Sequence, residues 1–184
     1  MGTHHLILGE TTDFITGKTV TDTHDERARQ KIAKFLVEEK GYKKTEIYTN
    51  LRLPLEINGE TGNVQVDFFV KPDGLPFMIM LFRPGSLVSR QRTALAAARL
   101  IADKPVPYTA VTNAEDAQIM ETFSGKVIGT GLNAVFSRQE AIEKREASLL
   151  PGLTDEQKTM EKRILFAMEV LTQKECDDYK CDNL

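Results

Sequence analysis

The sequence has little of what would mark a specialised class. It contains two cysteines, Cys176 and Cys181, both near the C-terminus, and three histidines elsewhere. That is too few for a disulfide framework or a structural zinc site, so the cysteines are read as reduced thiols. No apolar run approaches the roughly 18 residues that span a bilayer, and Met1 to Phe14 lacks the basic flank and apolar stretch of a signal peptide. A soluble, cytoplasmic protein without membrane contact is expected. There is no surplus of positive charge either: Lys and Arg total 24 against 27 Asp and Glu, a formal net charge of −3. The molecule as a whole is therefore no electrostatic trap for nucleic acid or an anionic membrane.

What is present describes a globular domain. With 41% hydrophobic and 28% charged residues over 184 positions, and ordinary numbers of glycine and proline, the chain is neither disordered nor fibrous. At this size one core buries roughly 70% of the unfolded surface, so no staple is required. Charge is unevenly spread. Arg83, Arg90, Arg92, Arg99 and Lys104 face only Asp103 within their stretch, whereas Glu140 to Asp182 carries an excess of acid. Any contact with DNA must therefore be local.

Residues 1–22 show no sustained period and read as an irregular lead-in. Thr23 followed by Glu26 is a capping-box signature, Ala28, Ile32, Phe35 and Leu36 repeat at helical spacing, and Gly41 offers a left-handed stop. Three β-like runs follow, 45–55, 64–71 and 76–82, separated by Asn58-Gly59 with Gly62 and by Pro72-Asp73-Gly74. Strict alternation puts Val64, Val66, Phe68 and Val70 on one face of the middle run and Gln65, Asp67 and Phe69 on the other. The third run, Phe77 to Phe82, is apolar on both faces and should lie centrally.

The pattern is helical over 86–102, strand-like over 108–112, helical over 114–122 and glycine-punctuated over 125–136. Beyond it come a charged helical segment over 137–148, a break at Pro151-Gly152, and a last helix capped by Thr154 with Gln157. Met160, Ile164, Leu165, Met168 and Leu171 are its expected buried face. The apolar circumference within 154–173 exceeds one stripe, which points to a homodimer through this helix. The order predicts a mixed α/β sheet with helices on both faces: a core over 23–136 and a C-terminal helical extension over 137–184.

Asp67 stands out because a carboxylate inside an apolar strand needs a cation, a partner or solvent. It reads either as a metal ligand or as a salt-bridged residue near a strand end. Asp67 on the second strand, a third strand after a Pro-Asp-Gly turn and a following helix resemble the PD-(D/E)xK nuclease core. More specifically, Asp25-Glu26-Arg27-Ala28-Arg29-Gln30 with Gly41-Tyr42, then Val66-Asp67-Phe68, then Val111-Thr112-Asn113 resemble the N-terminal domain of the type I restriction enzyme R subunit, over about 11–140.

The resemblance implies a restriction-endonuclease-like fold and a magnesium-dependent nuclease, in which an Asp and a Glu hold the metal and a Lys polarises the attacking water. Its Glu-x-Lys tripeptide falls on Met80-Leu81-Phe82, before Arg83-Pro84-Gly85, and carries no charge here. Its helical Gln followed four residues later by Tyr becomes Gln91 and Leu95. A catalytically degenerate nuclease fold without a cofactor is expected, with Asp67 as vestigial catalytic residue. Arg83, Arg90, Gln91, Arg92 and Arg99 are the candidate contacts for DNA, guanidinium forks being matched to phosphate. The alternatives are an active magnesium nuclease whose metal is held by Asp67 and Glu26, and a protein-interaction module acting through the C-terminal helix. Gly129-Thr130-Gly131-Leu132-Asn133-Ala134 matches a dinucleotide fingerprint in letters only, since helices rather than a strand follow, and Gly125-Lys126 lacks the rest of a phosphate loop.

Overall fold

The computed structural model describes residues 7–144 and 150–170. Cys176 and Cys181, Leu171 and the C-terminal end of the expected dimer helix lie outside the described residues. Within them no helix is long and apolar enough to cross a membrane.

A two-stranded hairpin, β1 (Gly9–Thr12) and β2 (Thr19–Asp22), precedes helix α1 (His24–Glu38). Residues 9–22 of the lead-in therefore form a hairpin, contrary to their irregular pattern. The reason is tertiary: the buried Asp13 carboxylate accepts bonds from Thr16 N at 2.6 Å and from Gln30 Nε2 of α1 at 3.1 Å. Burial alone pushes the Asp13 carboxyl up, but the bonds from Thr16 and Gln30 outweigh it and hold the group below its ordinary value. The Thr23 hydroxyl caps α1 by accepting from Glu26 N at 3.1 Å. The other half of the capping box is replaced, as the Glu26 carboxylate turns instead to Gln30 Nε2 at 2.6 Å.

Six strands form one sheet in the order β3-β4-β5-β6-β7-β8: β3 (Ile47–Ile57), β4 (Glu60–Val70), β5 (Met78–Phe82), β6 (Tyr108–Thr112), β7 (Ala117–Glu121) and β8 (Val127–Thr130). Asn58 and Gly59, with φ of 52° and 82°, make the tight β3–β4 turn that both positions' left-handed backbone requires. β5 is fully buried between β4 and β6, as its unbroken apolar run predicts. It pairs parallel with β6, while every other neighbouring pair in the sheet is antiparallel. The parallel pair is joined through helix α2 (Gln91–Leu100).

Two departures from the sequence pattern matter. The segment 114–122 is strand β7 rather than a helix, because Asn113 Oδ1 accepts from both Glu115 N and Asp116 N and turns the chain straight back onto β6. In β4 the alternation breaks: Val64, Val66 and Phe69 face the core under α2, whereas Phe68 and Val70 face the core under α1. The switch falls where Asn50 of β3, at φ 53°, lies across from Asp67 and interrupts the paired register.

Helices α1 and α2 thus cover opposite faces of the mixed sheet, giving the α/β architecture of a restriction-endonuclease-like domain. Two further helices follow, α3 (Arg138–Lys144) and α4 (Asp155–Leu165), the latter capped by Thr154 and Gln157 as expected. A π-helical turn, Phe166–Val170, continues α4. Leu165, Phe166 and Val170 are buried against the α2-side core, but Met160 and Met168 are exposed rather than buried, since the axis of α4 lies against α2 and β3 with those side chains outward.

α3 is fixed to the sheet by Arg138, whose Nε and Nη2 reach the Glu46 carboxylate at 2.8–3.0 Å. Burial pushes the Glu46 carboxyl up, yet the Arg138 bonds and the N–H groups of Lys43 and Asp73 outweigh this and hold it at about 2, against an ordinary 4.5. The folded state binds this proton less tightly than the unfolded chain. Its contribution is therefore complete above about pH 4.5 and lost as the pH falls towards 2. With solvent screening allowed for, Glu46 is expected to contribute about 2 kcal/mol. Urea unfolding between neutral pH and about pH 3 should show a shallower acid dependence in Glu46→Gln than in the native protein.

Candidate functional site

Asp67 projects from the point in β4 where the faces exchange, with a side chain that is 0% exposed. Three donors converge on it. From α1, Arg29 Nε donates to Oδ1 at 2.7 Å; from the end of β5, Phe82 N donates to Oδ2 at 2.9 Å; and Arg83 Nη1 donates to the same Oδ2 at 3.0 Å. The Arg29 guanidinium also lies 5.6 Å over the Phe82 ring and 3.6 Å from Glu26 Oε2. Arg83 continues outward, Nη2 reaching Glu169 Oε2 at 3.4 Å. The result is an alternating chain of charges, Glu26, Arg29, Asp67, Arg83 and Glu169, in which each arginine lies between two carboxylates. Beside it opens a cleft of about 470 Å³, lined by Asp25, Arg29, Arg52, Gln65, Arg83 and Glu169 among others.

The position of this cluster, on the strand before a central strand that ends in Arg83-Pro84-Gly85, is what the sequence comparison bears on. Residues 24–135 match the family described as the type I restriction enzyme R protein N terminus, a match to more than half of the chain. The chain belongs to that family. No curated protein and no solved structure gives a significant match.

Family membership raises a divalent cation, and the residues at Asp67 do not fit one. A hard cation needs several oxygen donors of net negative charge. Both Asp67 oxygens are instead engaged by guanidinium or backbone N–H groups, and Met80 and Phe82, where the resemblance puts Glu and Lys, are apolar and buried. Glu26 is separated from Asp67 by the Arg29 guanidinium. Among the described residues, no group of three His, Cys, Asp or Glu could hold a metal ion.

The remaining candidates are scattered. Arg83 lies in the cluster, but Arg92 and Arg99 face α4, where their Nη1 atoms grip the two oxygens of the buried Glu161 at 2.6 and 2.7 Å. Arg99 also donates to the carbonyls of Thr122 and Phe123, each at 3.0 Å. Gln91 Nε2 bonds Gln118 Oε1 at 2.7 Å, and Leu95 is buried. Arg90 sits half-exposed at the N-cap of α2. The glycine tract at 129–134 forms the end of β8 and a 3₁₀ turn, with Gly131 at φ 86°, so its glycines serve the turn.

Sequence reasoning did not single out Arg29, Arg52, Glu161 or Glu169. A signal existed for the first, since a buried Asp requires a cation and Arg29 follows Glu26 at helical spacing. For Glu161 the signal was fainter: an acid on the side of α4 that also carries the buried Leu165, and so faces inward.

Proposed function

We propose that this domain is a nuclease fold that no longer cleaves and that engages DNA through its cleft without a metal ion. The observation supporting it is the Asp67 carboxylate, consumed by Arg29 and Arg83 beside a central strand that offers Met80, Leu81 and Phe82. The Arg29 and Arg83 guanidinium groups, although paired to carboxylates, offer N–H donors to a phosphate without a metal ion, and they stay protonated. The family supports a DNA-related role, and the cleft supports phosphate contact by Arg29, Arg52 and Arg83.

With three arginines against a net charge of −3, binding is weak and steeply dependent on salt. In a plot of log affinity for duplex DNA against log salt, the slope is expected to be no steeper than about −3, at roughly −0.9 per phosphate. Arg52→Ala should weaken binding without loss of folding, because Arg52 is exposed and forms no ion pair among the described residues. Incubation of supercoiled DNA with the protein and magnesium or manganese is expected to give no nicking above the protein-free background. Metal-dependent cleavage that disappears in folded Asp67→Asn rejects the reading in favour of an active nuclease, and salt-independent binding rejects the phosphate contact.

A further inference from the structure

The C-terminal end of the described chain enters the same cleft. Glu169, in the π-helical turn that follows α4, brings Oε2 to 3.4 Å from Arg83 Nη2, a longer contact than the 3.0 Å between Arg83 Nη1 and Asp67. Its other oxygen, Oε1, is buried with no hydrogen-bond partner among the described residues. A carboxylate oxygen withdrawn from water without a donor carries the cost of an unmade hydrogen bond, so the long Oε2 contact to Arg83 leaves the Glu169 carboxylate half satisfied. Its neighbours hold it. Phe166 and Val170 are buried in the α2-side core, and Val170 lies so close over Gly62 of β4 that a Cβ there would collide with its side chain.

We propose that the turn Phe166–Val170 is a displaceable acidic strap, in which the Glu169 carboxylate stands at Arg83 in place of a nucleic-acid phosphate, and that DNA enters the cleft by displacing it. This rests on the reading of the cleft as a DNA site. The exchange is chemically balanced in charge: an anion leaves Arg83 and an anion arrives. The incoming phosphate takes the place of the single long contact that Nη2 makes with Glu169. Oε1 meanwhile regains water. Arg83 does not swing away during the exchange, because Nη1 stays bonded to Asp67 and to the Phe82 carbonyl at 2.7 Å.

The test uses the full chain and a fluorescent duplex oligonucleotide, read by anisotropy. Glu169→Gln removes the competing charge, and Gly62→Ala pushes Val170 and the strap off β4 with no change of charge. Each is expected to bind about twofold to fivefold more tightly than the native protein, the range set by loss of one partly exposed ion-pair competitor. Glu115→Gln, an exposed position on the β6–β7 turn, makes the same charge change and should leave affinity unaltered. In the native protein, DNA should accelerate amide exchange at 166–170. An equal gain in Glu115→Gln, no gain in Glu169→Gln while the native protein binds, or exchange at 166–170 that DNA leaves unchanged each overturns the strap alone. Absence of DNA binding by every variant overturns both the strap and the DNA reading beneath it. Should Gly62→Ala fail to fold, Glu169→Gln and the exchange measurement decide the question.

Discussion

Replacing Asp67 with alanine is expected to destabilise the protein by about 3 kcal/mol or more. The side chain is fully buried and pairs with two guanidinium groups whose own exposures are 21% and 15%. Without it, Arg29 and Arg83 face each other across a cavity, and Phe82 N loses its acceptor. Partial exposure lets the arginines recover some hydration, which places the cost at the lower end of the range for a broken buried pair. On a total stability of about 5–15 kcal/mol such a loss is large. The urea midpoint should fall with the slope of the transition unchanged. The sign of the effect separates two kinds of site. In a metal-binding cluster the carboxylates repel one another in the metal-free protein, so removing one is neutral or stabilising. At Asp67 the neighbours are cations, and a variant as stable as the native protein would show that the ion pairs do not hold the site.

Glu161→Ala should cost about 2–3 kcal/mol and act on one part of the molecule. Its two oxygens bond Arg92 and Arg99 at 2.6 and 2.7 Å, and these contacts, with Leu165, fasten α4 to α2. The arginines are not equivalent. Arg99 keeps the carbonyls of Thr122 and Phe123 after the change, whereas the half-exposed Arg92 returns to solvent. Amide exchange should accelerate across 155–165 while β5 stays protected. Uniform acceleration of all elements would mean instead that α4 unfolds only with the whole domain. The same geometry bears on DNA binding. Joint replacement of Arg92 and Arg99 frees α4 as well as removing charge, so a loss of DNA affinity in that variant does not by itself locate a phosphate contact.

The family and the uncharged run Met80-Leu81-Phe82 before Arg83-Pro84-Gly85 were legible because, like Val66-Asp67-Phe68, they lie in contiguous residues. That Asp67 is salt-bridged was one of two readings open in the sequence, and the identity of its partners was not. Arg29 is 38 residues away and Arg83 16, and many arginines in the chain could have served. Charge complementarity names a type of partner; the packing of α1 and β5 against β4 chooses the individual.

By itself the sequence determined the features whose physics is local. The Thr23 and Thr154 caps, the left-handed turn at Asn58-Gly59, the amphipathic period of α1 and the buried run of β5 each depend on residues within a few positions of one another. The tertiary structure decided what depends on distant residues. It ordered the N-terminal hairpin through Gln30. It exchanged the faces of β4 where Asn50 of β3, at φ 53°, lies across from Asp67, a change that alternation within one strand cannot register because Asn50 sits on the neighbouring strand. It also paired Arg92 and Arg99 with Glu161, 69 and 62 residues further on. A guanidinium binds a carboxylate as readily as a phosphate, so which anion it meets is set by what the fold brings within about 3 Å.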